Sequence, residues 1–93
     1  MTVGILQVEI QLPGTHSLKD KRSIIKHIKN QSRKKFNVSI SETGLMDNFR
    51  RSLLAIATIS SSRDIAHNIL EKAENFIELN FGVIITDVKM ELL

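Results

Sequence analysis

The chain has 93 residues, a formal net charge of +3, 42% hydrophobic residues, four phenylalanines with no Trp or Tyr, and no cysteine. That length suits one domain, residues 1–93, around one compact core, and the missing thiols exclude disulfides, thiolate zinc sites, iron–sulfur clusters and cysteine nucleophiles. No long apolar run and no basic-then-apolar start occurs, so the expectation is a cytoplasmic protein with neither a membrane span nor a signal peptide.

Residues 3–12 alternate, with Leu6, Val8, Ile10 and Leu12 pointing one way and Gln7, Glu9 and Gln11 the other. This is the pattern of a half-buried strand. Pro13, Gly14, Thr15 and His16 make a turn. Ser17 followed three residues later by Asp20 has the form of a capping box, so a helix starts near Leu18. Its inner face holds Lys21, Ile24, Ile25 and Ile28, and Lys21 is expected to bury its stem and keep its head in water. Phe36, Val38 and Ile40 then alternate with Asn37, Ser39 and Ser41 as a second strand. After a connection over residues 42–51, residues 53–60 are nearly all apolar and read as a central strand. Ser61 with Asp64 repeats the cap pattern, and Ile65, Ile69, Ala73 and Phe76 form the inner stripe of a second helix ending near Asn80, before Gly82. In the last strand, residues 83–92, Ile84, Thr86, Val88, Met90 and Leu92 share one face.

The order β-α-β-β-α-β with right-handed crossovers predicts a ferredoxin-like α+β sandwich. Its four-stranded antiparallel sheet has the order 4-1-3-2, and both helices cover one face.

The small net charge conceals an asymmetry. Residues 1–51 carry ten Lys/Arg and four Asp/Glu, a sum of +6, whereas residues 52–93 carry three and six, a sum of −3. Eight of the thirteen cations fall from Lys19 to Lys35. On the first helix Arg22, Lys26, Lys29 and Arg33 follow one another at spacings of 4, 3 and 4, a stripe ~16 Å long at 1.5 Å per residue. His67, Glu71, Glu74 and Glu78 repeat that spacing on the second helix with the opposite sign. Both stripes lie more than a quarter turn from the buried faces in the same sense. On antiparallel helices they therefore point to opposite flanks, the basic one over strand 2 and the acidic one over strand 4.

Three kinds of surface follow. Lys19, Arg22, Lys26, Lys29, Arg33, Lys34 and Lys35 form a rail suited to the phosphates of structured RNA; the bland alternative is a solvated helix that protects a sheet edge. The turn at residues 14–22, with Thr15, His16, Ser17 and Lys19 at a helix N-terminus, is a candidate anion cradle. The open sheet face mixes Val3 and Ile5 with polar groups, and strand 3 is apolar on both faces. This favours a covered face and a homodimer. No aromatic lies within strand 1 or strand 3, so base stacking on the open sheet, the mode of RNA-recognition modules, is not expected. His16, His27 and His67 form no metal set, the scattered carboxylates form no acid–base pair, and no Gly-rich nucleotide loop implies a cofactor.

Ser17-Leu18-Lys19-Asp20-Lys21-Arg22, Phe36-Asn37-Val38-Ser39, Asp47-Asn48-Phe49-Arg50-Arg51 and the closing Asp87-Val88-Lys89-Met90-Glu91-Leu92 together resemble the YlxP-like family of small uncharacterised bacterial proteins. The resemblance runs nearly end to end. It implies the same ferredoxin-like fold and a gene neighbourhood of translation-initiation and ribosome-maturation factors, with no established reaction. Members often carry Trp and Gln where this chain has Phe49 and Arg50. The resulting expectation is a non-enzymatic RNA- or ribosome-associated accessory protein, with a homodimeric interaction module or an anion-binding turn as the alternatives.

Overall fold

A computed structural model describes all 93 residues. The elements are β1 (Thr2–Gln11), α1 (Leu18–Lys35), β2 (Ser39–Gly44), β3 (Arg51–Ser60), α2 (Arg63–Asn80) and β4 (Ile84–Leu92). The sheet has the order β2-β3-β1-β4, antiparallel throughout. This is the ferredoxin-like arrangement expected from the sequence. No helix is long and apolar enough to cross a membrane.

The core forms where the strand alternation meets the helix stripes. Leu6, Val8, Ile10 and Leu12 from β1 and its extension lie beside Leu54 and Ile56 of β3, Ile40 of β2, Ile25 and Ile28 of α1, and Leu70 and Ile77 of α2. β3 occupies an inner position, with β1 and β2 as neighbours, as its apolar run requires.

α1 begins as its cap predicts. The Ser17 hydroxyl accepts a bond from the Asp20 amide, while the Asp20 carboxylate accepts from the His16 amide. β2 starts at Ser39, three residues later than expected. Phe36 is instead the C-cap of α1, its amide donating to Ser32 O and its ring edge-on to Phe76 with centroids 5.6 Å apart. His27 is exposed on α1 and its ring meets the edge of Phe81 at 5.4 Å, at the end of this aromatic row.

α2 departs from its expected orientation by one residue. Ser62, not Ser61, caps it by accepting from the Ile65 amide. The buried positions are Ala66, Leu70, Ala73 and Ile77, and Ile65 is 49% exposed. Two neighbouring windows satisfy the helical period here, so close approach decides between them. A β-carbon on Gly4 of β1 would lie 2.8 Å from Leu70 Cδ1 and 3.6 Å from Ala66 Cβ. The helix comes that near the sheet because glycine and alanine leave room. Gly82 then ends the segment at φ +66°, a conformation costly for any residue with a β-carbon.

β4 contains a bulge that periodicity alone does not reveal. Glu9 pairs with Asp87 but Ile10 pairs with Ile85, leaving Thr86 as the extra residue. The faces exchange at that point. Ile85 packs against the core and Ile84 is 51% exposed, the reverse of the expected alternation, whereas Met90 and Leu92 remain on the helix side as expected. The Thr86 hydroxyl lies within bonding distance of both Glu9 O and Glu9 Oε2, filling the irregular ladder.

Candidate nucleic-acid interface

The buried side of α1 is Lys21, Ile25, Ile28 and Ser32. The stripe Arg22, Lys26, Lys29 and Arg33 is each of these numbers plus one, hence rotated by about 100° from the core. Likewise His67, Glu71, Glu74 and Glu78 are Ala66, Leu70, Ala73 and Ile77 plus one. The two offsets are equal, so on antiparallel helices the stripes face opposite flanks.

Local contacts agree. Arg22, Lys26, Lys29 and Arg33 line a groove with Glu42 of β2. The Arg33 guanidinium donates to Ile40 O at 2.9 Å, so its outer end covers a backbone acceptor of this edge strand. On α2 the face turned toward α1 is Ile65, Ile69 and Lys72, which line a hollow with Lys35 and Phe36. The acidic stripe is on the other side, toward β4, where Arg63 donates to Leu92 O at 3.3 Å.

The charges are differently engaged. The molecule's ion pairs are Lys21–Glu42 and Arg51–Glu9, and the remaining contact of this kind is His67 Nδ1 at 3.5 Å from Glu71, so no cation of the rail is neutralised by a carboxylate. Lys19, Arg22, Lys26, Arg33, Lys34 and Lys35 are exposed and Lys29 is half-buried. The Lys35 ammonium lies 5.0 Å from the Phe76 ring centre, which leaves Lys34 as the freer of the two at the helix end. On the acidic flank, burial and then the neighbouring Glu78 and Glu71 charges push the Glu74 carboxyl above its ordinary range. On the open face, hydrogen bonds from Arg51 and Thr86 hold the Glu9 carboxyl below that range. No three His, Asp or Glu side chains come together as metal ligands.

The turn over residues 14–22 is a structural joint. Thr15 is fully buried, its hydroxyl directed to Leu12 O and Phe49 O and its amide to Leu12 O. The Ser17 hydroxyl is the helix cap, and the Asp20 carboxylate sits on the His16 amide where an external anion would bind. Of the four expected cradle residues, His16 and Lys19 are exposed with unengaged side chains, and Thr15 and Ser17 spend their hydroxyls on the joint itself. The geometry does not support an anion cradle there, because the helix supplies its own carboxylate.

Lys21 departs most from expectation. Its side chain is 2% exposed, and its ammonium donates to Leu45 O and Asn48 O, both at 2.6 Å, with Glu42 Oε2 at 2.8 Å. Ser52 donates to the same Glu42 oxygen at 2.6 Å. The ammonium thus has three acceptors for its three protons, which is what a buried lysine requires. Glu42 lies on the helix side of β2, two residues beyond Ile40. A lysine within an apolar helix stripe is the signal the sequence offers; Glu42 falls in the expected connection, whereas β2 runs on to Gly44 and sets it on the core face.

Residues 3–90 match the family described as protein of unknown function (DUF503). The chain belongs to this family. It is 38% identical over 76 residues to the uncharacterized protein YlxP of Bacillus subtilis (strain 168), covering 82% of this chain and 83% of that protein. A solved structure, the de novo designed protein Ferredog-Diesel, is similar over 98% of this chain and 84% of its own, at a TM-score of 0.48 and 13% identity.

The buried lysine also determines what the β2–β3 loop presents. With Leu45 O, Asn48 O and Phe49 O held from below, the tip exposes Met46 and Phe49, 56% and 37% accessible. The Arg50 guanidinium stands 5.5 Å from the Phe49 ring centre. This tip adjoins the Lys19–Arg22 end of the rail, since Lys21 joins them.

Proposed function

We propose that this protein is a non-enzymatic RNA-associated accessory factor, acting at the ribosome or on structured RNA in the cytoplasm. It would hold the phosphate backbone with the α1 rail of Lys19, Arg22, Lys26, Lys29, Arg33, Lys34 and Lys35. The observation that carries this reading is the unneutralised line of cations along the outer flank of α1, above the open β2 edge. The opposite charge is kept on the other flank, so the field is dipolar despite a net charge of only +3. About four phosphate contacts from the central stripe give a slope of log K against log salt near −3, and modest affinity.

The test is fluorescence anisotropy with a structured RNA at two salt concentrations. Wild type binds with that slope, and charge reversal at Arg22, Lys26, Lys29 and Arg33 abolishes binding while the thermal unfolding curve remains cooperative. Binding that survives the reversal refutes the rail.

A second reading has its own observation. Val3 faces Ile59 and Ile5 faces Ala57 across the β1–β3 ladder on the open sheet face, and Ile59 is 56% exposed. Packing of two such faces would give a homodimer. Sedimentation at high and low salt tests it: apolar sheet packing persists in salt, whereas pairing of basic and acidic flanks weakens. A strict monomer at high concentration refutes both modes.

A further inference from the structure

We infer that the tip of the β2–β3 loop receives one unpaired nucleobase, stacked on Phe49 beside the helical phosphate rail. The inference rests on the rail reading above and names the class of RNA it serves: a duplex with an adjoining single-stranded nucleotide.

Four features of the tip support this occupant. The first is an aromatic face in an otherwise aromatic-poor surface: Phe36, Phe76 and Phe81 are used in the ring row between α1 and α2, whereas Phe49 is at the loop tip. Base–aromatic stacking is sequence-tolerant and accounts for much of single-strand affinity. The second is the Arg50 guanidinium above the ring, which adds a cation beside a stacked base. Arg51, the next residue, is committed to Glu9 at 2.9 Å, so Arg50 is the free cation of the pair.

The third is the chemistry of the hollow beside the ring, lined by Leu45, Met46, Asp47, Asn48 and Phe49. Its only charged group is the Asp47 carboxylate, which has no ion-pair partner. A carboxylate repels phosphate and accepts from an exocyclic amino group, so the hollow suits a base edge and the rail suits the backbone. The Asn48 side-chain oxygen is already taken by the Arg50 and Arg51 amides, leaving its amide protons as the donor there.

The fourth is preorganisation. Leu45 is held at φ +58°, its carbonyl and that of Asn48 are bound by Lys21, and Leu12 N donates to Arg50 O at 2.8 Å. A loop fixed in this way loses little freedom on binding. The same lysine sets the spacing between the platform and Arg22, the first cation of the central stripe.

The experiment compares three fluorescein-labelled RNA hairpins of one stem: blunt, with a short cytidine overhang, and with a short uridine overhang. Cytidine and uridine stack similarly, but only cytidine presents an amino group at its pairing edge. The cytidine overhang is expected to bind roughly tenfold tighter than the blunt stem, within the range of one stacked base, with uridine between them. Phe49→Ala and Phe49→Leu reduce both overhangs to the blunt value, Phe49→Trp keeps the gain, and Asp47→Asn makes cytidine and uridine equal. Phe49→Trp also introduces a single Trp, whose fluorescence the stacked base quenches.

Blunt binding with no gain from either overhang, or a gain that survives Phe49→Leu, overturns the base receptor and leaves the rail standing. Equal binding of cytidine and uridine by wild type overturns the role of Asp47. Failure to bind any of the three overturns the rail and the receptor together.

Discussion

Replacing Lys21 with methionine keeps an unbranched stem of four heavy atoms and removes the charged end. In the folded protein that charge meets Glu42 and two loop carbonyls at 2.6–2.8 Å, in a site 2% exposed on the lysine side and 20% on the glutamate side. The methionine fits the space, so little of the loss comes from a cavity. What remains is a carboxylate with only Ser52 to answer it and an Asn48 carbonyl without a donor, while Leu45 O keeps the Asn48 amide. Removing one member of a buried pair costs about 3–5 kcal/mol. The partial exposure of Glu42 favours the lower half of that range. For a domain of this size a loss of about 3–4 kcal/mol lowers the midpoint of thermal unfolding by roughly 15–30 °C. Urea unfolding followed by far-ultraviolet circular dichroism measures it, and amide exchange over residues 45–50 shows the loop released. Adding Glu42→Leu to Lys21→Met recovers part of the loss by removing the stranded charge, a coupling that independent sites do not show. A cost below about 1 kcal/mol, the level expected for an exposed lysine such as Lys34, would show that the buried ammonium does not hold the loop.

Three further substitutions test other parts of the structure. Ser32 has a fully buried hydroxyl with no hydrogen-bond partner, so Ser32→Ala stabilises by about 1 kcal/mol, read as a rise in the unfolding midpoint; a fall would mean that the hydroxyl is satisfied. Burial and the flanking glutamates raise the Glu74 carboxyl above its ordinary value, so the folded state binds this proton more tightly than the unfolded chain and stability declines as pH rises through that window. Glu74→Gln therefore raises the unfolding midpoint at neutral pH and gains nothing below the ordinary glutamate range, and an equal gain at both pH values contradicts the charge effect. Gly82 at φ +66° makes Gly82→Ala cost about 1 kcal/mol in urea unfolding; a neutral result would mean that the turn reorganises.

How much was legible depended on whether a feature was periodic. The alternation of Leu6, Val8, Ile10 and Leu12, the Ser17–Asp20 cap and the uniformly apolar β3 determined the elements, and handedness then left one sheet order. The charge stripes could likewise be placed on opposite flanks, because an angle along a helix follows from residue spacing alone. α2 shows where this ends. Ile65–Ile69–Ala73–Phe76 and Ala66–Leu70–Ala73–Ile77, which share Ala73, are both helical stripes, and hydrophobicity favours the first. The buried stripe is the second because Ala66 and Leu70 rest against Gly4, sixty-two and sixty-six positions away in the chain. The Thr86 bulge is of the same kind: one residue more in β4 than in the partner segment of β1 exchanges Ile84 with Ile85, and only the pairing register shows it.

The candidate site divides along the same line. From the sequence alone come the fold, the separation of +6 from −3, and the rail on the exposed side of α1. The three-dimensional structure decided which cations are free, since Lys21 left the surface to bind Glu42 while Arg33 and Lys35 acquired partial engagements with Ile40 and Phe76. It also turned the expected anion cradle into a joint and brought Phe49 to a rigid tip beside the rail. The physical reason is common to all of these. Amphipathic pattern is a property of neighbours along the chain, whereas the fate of a buried charge depends on acceptors at Glu42, Leu45 and Asn48 that only folding brings to Lys21.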